Sequence, residues 1–117
     1  MFDYPDFMEV KKIGELLIAS FSFKNIANEE PAELFRRGVV CLTVYNGQKD
    51  VILNLEGVKE LTQPAIDAIR FLQRSMAIWS GRLVLCGMEK NIDGIVKAKK
   101  CFYICEDELS ALKLFEQ

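Results

Sequence analysis

Short apolar runs alternate with longer amphipathic stretches along this chain, and that alternation predicts an α/β fold. The runs at residues 51–55 and 82–86 have the length and apolar character of buried parallel strands. The stretches between the runs repeat apolar residues every three or four positions, which is typical of helices. We expect a single domain over residues 1–117, with a mixed, mostly parallel sheet of about four or five strands, an N-terminal antiparallel hairpin and about four helices.

The N-terminal hairpin is predicted from two short segments on either side of a glycine turn. Residues 8–13 alternate loosely between polar and apolar side chains. Residues 15–23 place Phe21 and Phe23 on one face, as a strand with one buried face does. Pairing the two segments puts the first strand at an edge of the sheet, antiparallel to its neighbour.

The first helix is predicted from its start and stop signals. Asn28, two following glutamates and Pro31 favour helix initiation, because they supply a side-chain cap, early acidic residues and an early proline. Apolar residues then recur at helical spacing to residue 45. Asn46 and Gly47 predict the end of the helix and a chain reversal.

The second helix has the clearest pattern. Pro64 fits its first turn, where a missing N–H costs nothing, and Thr62 or Gln63 would be its cap, with Thr62 the better chemistry. The predicted inner stripe consists of Ala65, Ile66, Ile69, Leu72, Met76 and Trp79. The predicted outer face carries Asp67, Arg70, Gln73 and Arg74.

The C-terminal third predicts two more helices around a last strand. Residues 91–100 form a weaker amphipathic pattern, and residues 102–105 a short apolar run. Asp107 is placed to cap a helix over residues 108–115. The inner stripe of that helix is predicted to be Leu109, Leu112 and Phe115.

Composition excludes several classes of active site. The chain contains no histidine, so a Ser-His or Cys-His pair, a histidine base and a mixed Cys/His zinc site are impossible. Cys41, Cys86, Cys101 and Cys105 include no CxxC pair, which favours buried or half-buried free thiols over a metal or redox role. We therefore expect no metal and no cofactor. A net charge of −2 offers no basic field for direct nucleic-acid binding.

The location is predicted from the absence of targeting patterns in the sequence. Residues 1–10 are acidic and contain no basic region followed by an apolar stretch, unlike a signal peptide. No apolar run approaches the roughly 18 residues that a membrane span requires. We expect a cytoplasmic protein without membrane insertion.

Four stretches, taken in order and spacing, resemble the STAS family. They are residues 51–58, 61–66, 80–87 and 107–112, which look like the family's central strand and its exit, the turn that opens the next helix, the following turn and strand, and the closing helix. The family includes bacterial anti-sigma factor antagonists and the cytoplasmic tails of anion transporters. The resemblance implies a non-catalytic, protein-binding regulatory module of bacterial signal transduction and transcription regulation.

The sequence departs from the family at the phosphorylation switch. Aligned without gaps, the family's aspartate falls on Thr62, its first serine on Gln63, its phospho-acceptor on Pro64 and its glycine on Ala65. Proline has no hydroxyl and cannot accept phosphate. Two interpretations follow: the surface binds a partner without this control, or Thr62 has become the acceptor. We favour a local capping role for Thr62.

The predicted partner-binding surface combines the helix start with the outer face of the helix. Exposed polar groups beside a rigid helix N-terminus can fix the register of a partner by hydrogen bonds. This surface consists of Lys59, Glu60, Thr62, Gln63, Pro64, Asp67, Arg70 and Arg74. The expected partner is an anti-sigma factor of the kinase-like type or a subunit of an assembly, and the chain itself is a monomer or a weak homodimer.

Two other functions stay open on the sequence. A STAS-like scaffolding subunit of a transport or signalling assembly fits the same resemblance. A small acid-base enzyme is a minor alternative, since acidic residues cluster at 29–30 and 106–108. Both clusters lie at predicted helix starts, where carboxylates are favoured without a catalytic task.

Overall fold

The computed structural model describes residues 4–23, 30–89 and 94–116. Strands and helices follow each other in the predicted order. They are β1 (Met8–Ile13), β2 (Leu16–Phe21), α1 (Pro31–Tyr45), β3 (Asp50–Asn54), α2 (Gln63–Ala77), β4 (Leu83–Cys86), α3 (Ile95–Cys101), β5 (Tyr103–Ile104) and α4 (Glu108–Phe115).

The five strands form one mixed sheet in the order β1-β2-β3-β4-β5. Strand β1 pairs antiparallel with β2, in a register that runs from Met8 opposite Phe21 to Ile13 opposite Leu16. The other three pairs are parallel, and each parallel connection contains a helix. The predicted α/β fold, with its N-terminal antiparallel hairpin and four helices, is confirmed.

The alternation of side chains along the strands divides the core into two layers. Leu53 in β3 and Leu85 in β4 point toward α1 and α2, in a large cluster that also contains Ala98 of α3. Ile52 and Val84 point to the other side and pack under α4. Three helices therefore cover one face of the sheet, and α4 packs on the opposite face against β3 and β4.

Helix α1 begins differently from the prediction. Asn28 and Glu29 lie outside the described residues, and the N-cap position is Glu30, whose side chain makes no capping bond. Pro31 occupies the first turn as predicted, but the acidic residue of that turn is Glu33. The end is as predicted, since Asn46 follows the last helical residue and its amide donates to a backbone carbonyl one turn earlier.

Three other expectations need correction. Strand β2 ends at Phe21 instead of residue 23. Leu109 of α4 is 63% exposed, whereas Ala111 is the fully buried residue of that helix. Helix α3 begins at Ile95, and the part of its predicted range at 91–93 lies outside the described residues. The short α4 rests on the sheet through its smallest apolar residue, because a small side chain lets a helix approach a sheet closely.

The cysteines are free thiols, and each is buried or half-buried as predicted. Cys86 is buried, and Cys41, Cys101 and Cys105 are half-buried. Among the described helices, none is long and apolar enough to cross a membrane.

Candidate protein-binding site

Thr62 caps the N-terminus of α2. Its Oγ1 accepts a hydrogen bond from the backbone N–H of Ala65 at 3.3 Å, and its carbonyl accepts the N–H of Ile66 at 2.9 Å. Pro64 lies in the first turn, where no backbone donor is needed. The capping role predicted for Thr62 is confirmed, and Gln63 is the first helical residue instead.

Replacing Thr62 by alanine should lower the free energy of unfolding by about 1 kcal/mol, because the N–H of Ala65 loses its acceptor. Thr62→Ser is the matched control, since it keeps an Oγ and should retain most of the stability. Urea denaturation of the three proteins measures both effects. Equal stabilities for Thr62→Ala and the wild-type protein would contradict the capping role.

The predicted surface is brought together on α2 and the loop before it, with two residues more enclosed than expected. Thr62 and Arg70 are half-buried. Gln73, predicted for the same outer face, is also half-buried, and its amide donates to the carbonyl of Cys101 at 3.5 Å. The exposed members are Lys59, Glu60, Gln63, Pro64, Asp67 and Arg74.

Charge on this surface is only partly neutralised within the chain. The amide of Gln63 donates to Asp67 at 2.7 Å, one turn away along α2. In the described part of the chain, no acidic side chain forms an ion pair with Lys59, Arg70 or Arg74. The three cations therefore remain available to an outside partner.

The loop before α2 is fixed by its apolar residues and by a close approach of α3. Leu55, Val58 and Leu61 are at most 4% exposed. Gly94, the N-cap residue of α3, has φ +90° and lies so near Leu61 that an added Cβ would be 2.5 Å from the Leu61 carbonyl oxygen. Thr62 therefore follows a residue whose backbone is held by both the core and α3.

An apolar groove between α1 and α2 was not predicted. Val40 and Val44 of α1 line it together with Pro64, Ala68 and Phe71 of α2, and this set is called the α1–α2 groove below. Phe71 is 62% exposed and Val44 is 64% exposed. A signal was present in the sequence: Phe71 lies seven residues after Pro64, which places both on one side of the helix, away from the inner stripe.

The acidic residues near α4 are occupied in local structure. Asp107 caps α4 by accepting the backbone N–H of Ser110 at 2.8 Å, and this bond lowers the pKa of the Asp107 carboxyl. Glu108 accepts a hydrogen bond from the amide of Asn54 at 3.1 Å. A carboxyl group with a lowered pKa is a poor proton donor near neutral pH, so Asp107 does not have the character of a general acid.

The buried thiol beside these carboxylates is held in its protonated form. Burial raises the pKa of Cys86 to about 12, and the negative charge of Glu108 adds to the effect. Burial and Asp107 raise the pKa of Cys105 as well. Because a thiolate is the reactive species, neither thiol is suited to nucleophilic chemistry at neutral pH. Among the described residues, no group of three or more His, Cys, Asp or Glu side chains could hold a metal ion.

Comparison with known proteins gives a result at the level of fold. No family model and no curated protein matches the sequence. The crystal structure of TM1081, a candidate anti-sigma factor antagonist from Thermotoga maritima, is 15% identical and covers 96% of this chain and 97% of its own, with a TM-score of 0.67. The chain has a STAS-like fold.

Two further structures agree with the STAS-like fold. The NMR structure of TM1081 is 15% identical and covers 97% of this chain and 90% of its own, with a TM-score of 0.66. The anti-sigma factor antagonist SpoIIAA, in its unphosphorylated form, is 12% identical and covers 93% of this chain and 97% of its own, with a TM-score of 0.64.

Proposed function

We propose that this chain is a single-domain, non-catalytic regulatory module that binds a protein partner, as anti-sigma factor antagonists do. Its place would be the bacterial cytoplasm, in signalling that controls transcription. The STAS-like fold supports the choice of class, because the neighbours described as anti-sigma factor antagonists share it over nearly the whole chain.

The observation that carries the proposal is the surface at the start of α2. It combines a capped and therefore rigid helix N-terminus with cations that have no partner in the described chain. The α1–α2 groove adds exposed apolar area beside those charges. An apolar centre with a polar rim is the composition of protein interfaces.

The chemistry of the other clusters supports a non-catalytic role. The carboxylates at the start of α4 act as a cap and as a hydrogen-bond acceptor for Asn54. The thiols nearest to them are protonated at neutral pH. Because the carboxylates have structural roles and the thiols are unreactive, these groups favour a protein-binding function over a catalytic one.

We propose that binding is not controlled by phosphate at the family's usual position. Pro64 occupies the first turn of α2 and has no hydroxyl. Thr62 uses its Oγ1 as a cap acceptor, which supports a structural role for that hydroxyl. Mass spectrometry of the protein purified from its own cells tests this point, and stoichiometric phosphate on Thr62 would overturn it.

The partner surface is tested by charge reversal. We expect Lys59→Glu and Arg70→Glu each to weaken binding of the partner by about tenfold or more, because each turns an attractive contact into a repulsive one. The partner is first identified by purifying the tagged chain from its own cells. Its affinity for each variant is then measured by calorimetry with purified proteins.

Lys113→Glu is the matched control, since Lys113 is exposed on α4 at the opposite face of the sheet. It should bind like the wild-type protein. If Lys59→Glu, Arg70→Glu and Lys113→Glu all bound the partner with equal affinity, the surface at the start of α2 would not be the partner-binding site. A permease or transport ATPase as the recovered partner would favour the scaffolding function over signalling.

A further inference from the structure

The outer side of α2 carries a regular stripe. Pro64, Phe71 and Ile78 are spaced seven residues apart, so they lie close to one line along the helix. All three are exposed, and Ile78, which follows the last residue of α2, is at 88% the most exposed large apolar side chain among the described residues. Exposed apolar side chains in line along one side of a helix can pack against a second helix.

Asp67 and Arg74 lie beside this stripe and are also seven residues apart. Within the described part of the chain, Asp67 accepts a hydrogen bond from the Gln63 amide, and Arg74 forms no ion pair. One negative and one positive group thus lie at similar distances on either side of Phe71.

This arrangement is complementary to itself. A two-fold axis that passes beside α2, perpendicular to it and level with the point between Arg70 and Phe71, relates the helix to an antiparallel copy. In such an isologous contact each pair of facing residues occurs twice. Asp67 then faces Arg74 of the second copy, and Arg74 faces its Asp67. Phe71 meets Phe71 of the second copy, and the axis falls near the midpoint of a helix about 22 Å long.

The neighbouring helix enlarges the contact. Val40 and Val44 line the α1–α2 groove next to Phe71 and are 43% and 64% exposed. An antiparallel α2 from a second copy, placed along the stripe, would cover these side chains as well. The exposed apolar residues of α1 and α2 would thus be buried together.

We infer that this chain forms a symmetric homodimer through α2, with Phe71 at the centre and two Asp67–Arg74 ion pairs between the copies. The inference does not rest on the proposed function. The contact is small, so the dissociation constant should lie at roughly 10–100 µM. The dimer covers Asp67 and Arg74, so it would compete with a partner that binds the same residues.

Sedimentation velocity of the purified chain over a hundredfold range of concentration tests the dimer. The wild-type protein should shift from monomer to dimer as concentration rises. Phe71→Asp should weaken dimerisation at least about tenfold, because it puts two carboxylates at the centre of the contact. Leu109→Asp is the matched control, since Leu109 is equally exposed but lies on α4. It should dimerise like the wild-type protein.

Charge reversal tests the geometry of the contact. Asp67→Arg and Arg74→Asp should each weaken self-association, because like charges then face each other across the axis. An equimolar mixture of these two variants should form a heterodimer, since two ion pairs are again possible: Arg74 of the first variant with Asp67 of the second, as in the wild-type protein, and the introduced arginine at position 67 with the introduced aspartate at position 74.

A wild-type protein that stays monomeric over the whole range would overturn the inference. So would dimerisation that Phe71→Asp leaves unchanged, or a mixture of the two charge variants that stays monomeric. Because every measurement uses the chain alone, these outcomes leave the proposal of a separate protein partner untouched.

Discussion

Replacing Phe35 by alanine should lower the free energy of unfolding by about 3–5 kcal/mol. Phe35 is fully buried in α1, at the centre of the layer between the helices and the sheet. Its ring contacts the ring of Phe21 edge to face, with the centroids 4.8 Å apart. Alanine would remove this contact and leave a cavity that a closely packed core closes only in part.

Denaturation in guanidinium chloride, followed by circular dichroism, measures the loss. Phe71→Ala is the matched control, because it makes the same chemical change on α2 at a side chain that is 62% exposed. It should cost less than about 1 kcal/mol. Similar losses for the two variants would show that Phe35 is not a core residue.

Replacing Gly94 by alanine should cost about 2–4 kcal/mol, from two sources. At φ +90° an L residue is strained, and the new Cβ would lie 2.5 Å from the carbonyl oxygen of Leu61. That oxygen belongs to the backbone, so it cannot move aside as a flexible side chain would. Relief requires a shift of α3 or of the loop that leads to Thr62.

Gly57→Ala separates the two sources. Gly57 has φ +87°, nearly the same as Gly94, but nothing lies within 4 Å of its added Cβ. Its substitution should cost only the backbone strain, about 1–2 kcal/mol. In thermal and urea denaturation, the Gly94→Ala variant should be less stable than the Gly57→Ala variant. Equal stabilities would contradict the close contact between α3 and Leu61.

The sequence predicted those features that depend on nearby residues. The cap of α2 by Thr62 and the cap of α4 by Asp107 were both read from a few adjacent positions, and both bonds are present. The bounds of β1 were also predicted correctly at Met8–Ile13. Such features are local because the hydrogen bonds and backbone angles that define them span only a few residues.

Errors arose where a side chain's surroundings come from distant parts of the chain. Leu109 was predicted to lie on the inner stripe of α4 with Leu112 and Phe115, but α4 approaches the sheet through Ala111. Arg70 and Gln73 were predicted to be exposed, and both are half-buried. The amide of Gln73 reaches the carbonyl of Cys101, which is 28 positions away along the chain. The spacing of apolar residues shows which side of a helix faces the core, but it does not show how far around the helix the burial extends.

Some features of the candidate surface follow from nearby residues in the sequence, and others depend on the tertiary structure. Its position at the start of α2, with a proline in the first turn, follows from the sequence. The exposure of Phe71 and its alignment with the valines of α1 do not, because they require the relative placement of two helices. The inferred dimer depends on that placement.

The sequence by itself determined the order of strands and helices, the caps of α2 and α4, the absence of histidine chemistry and the absence of a hydroxyl at position 64. Each of these depends on residue identity or on neighbours within a turn. Only the tertiary structure decided which apolar residues remain exposed beside α2 and how closely Gly94 approaches Leu61. These features depend on how separate helices pack, and packing joins residues that the order of the chain keeps apart.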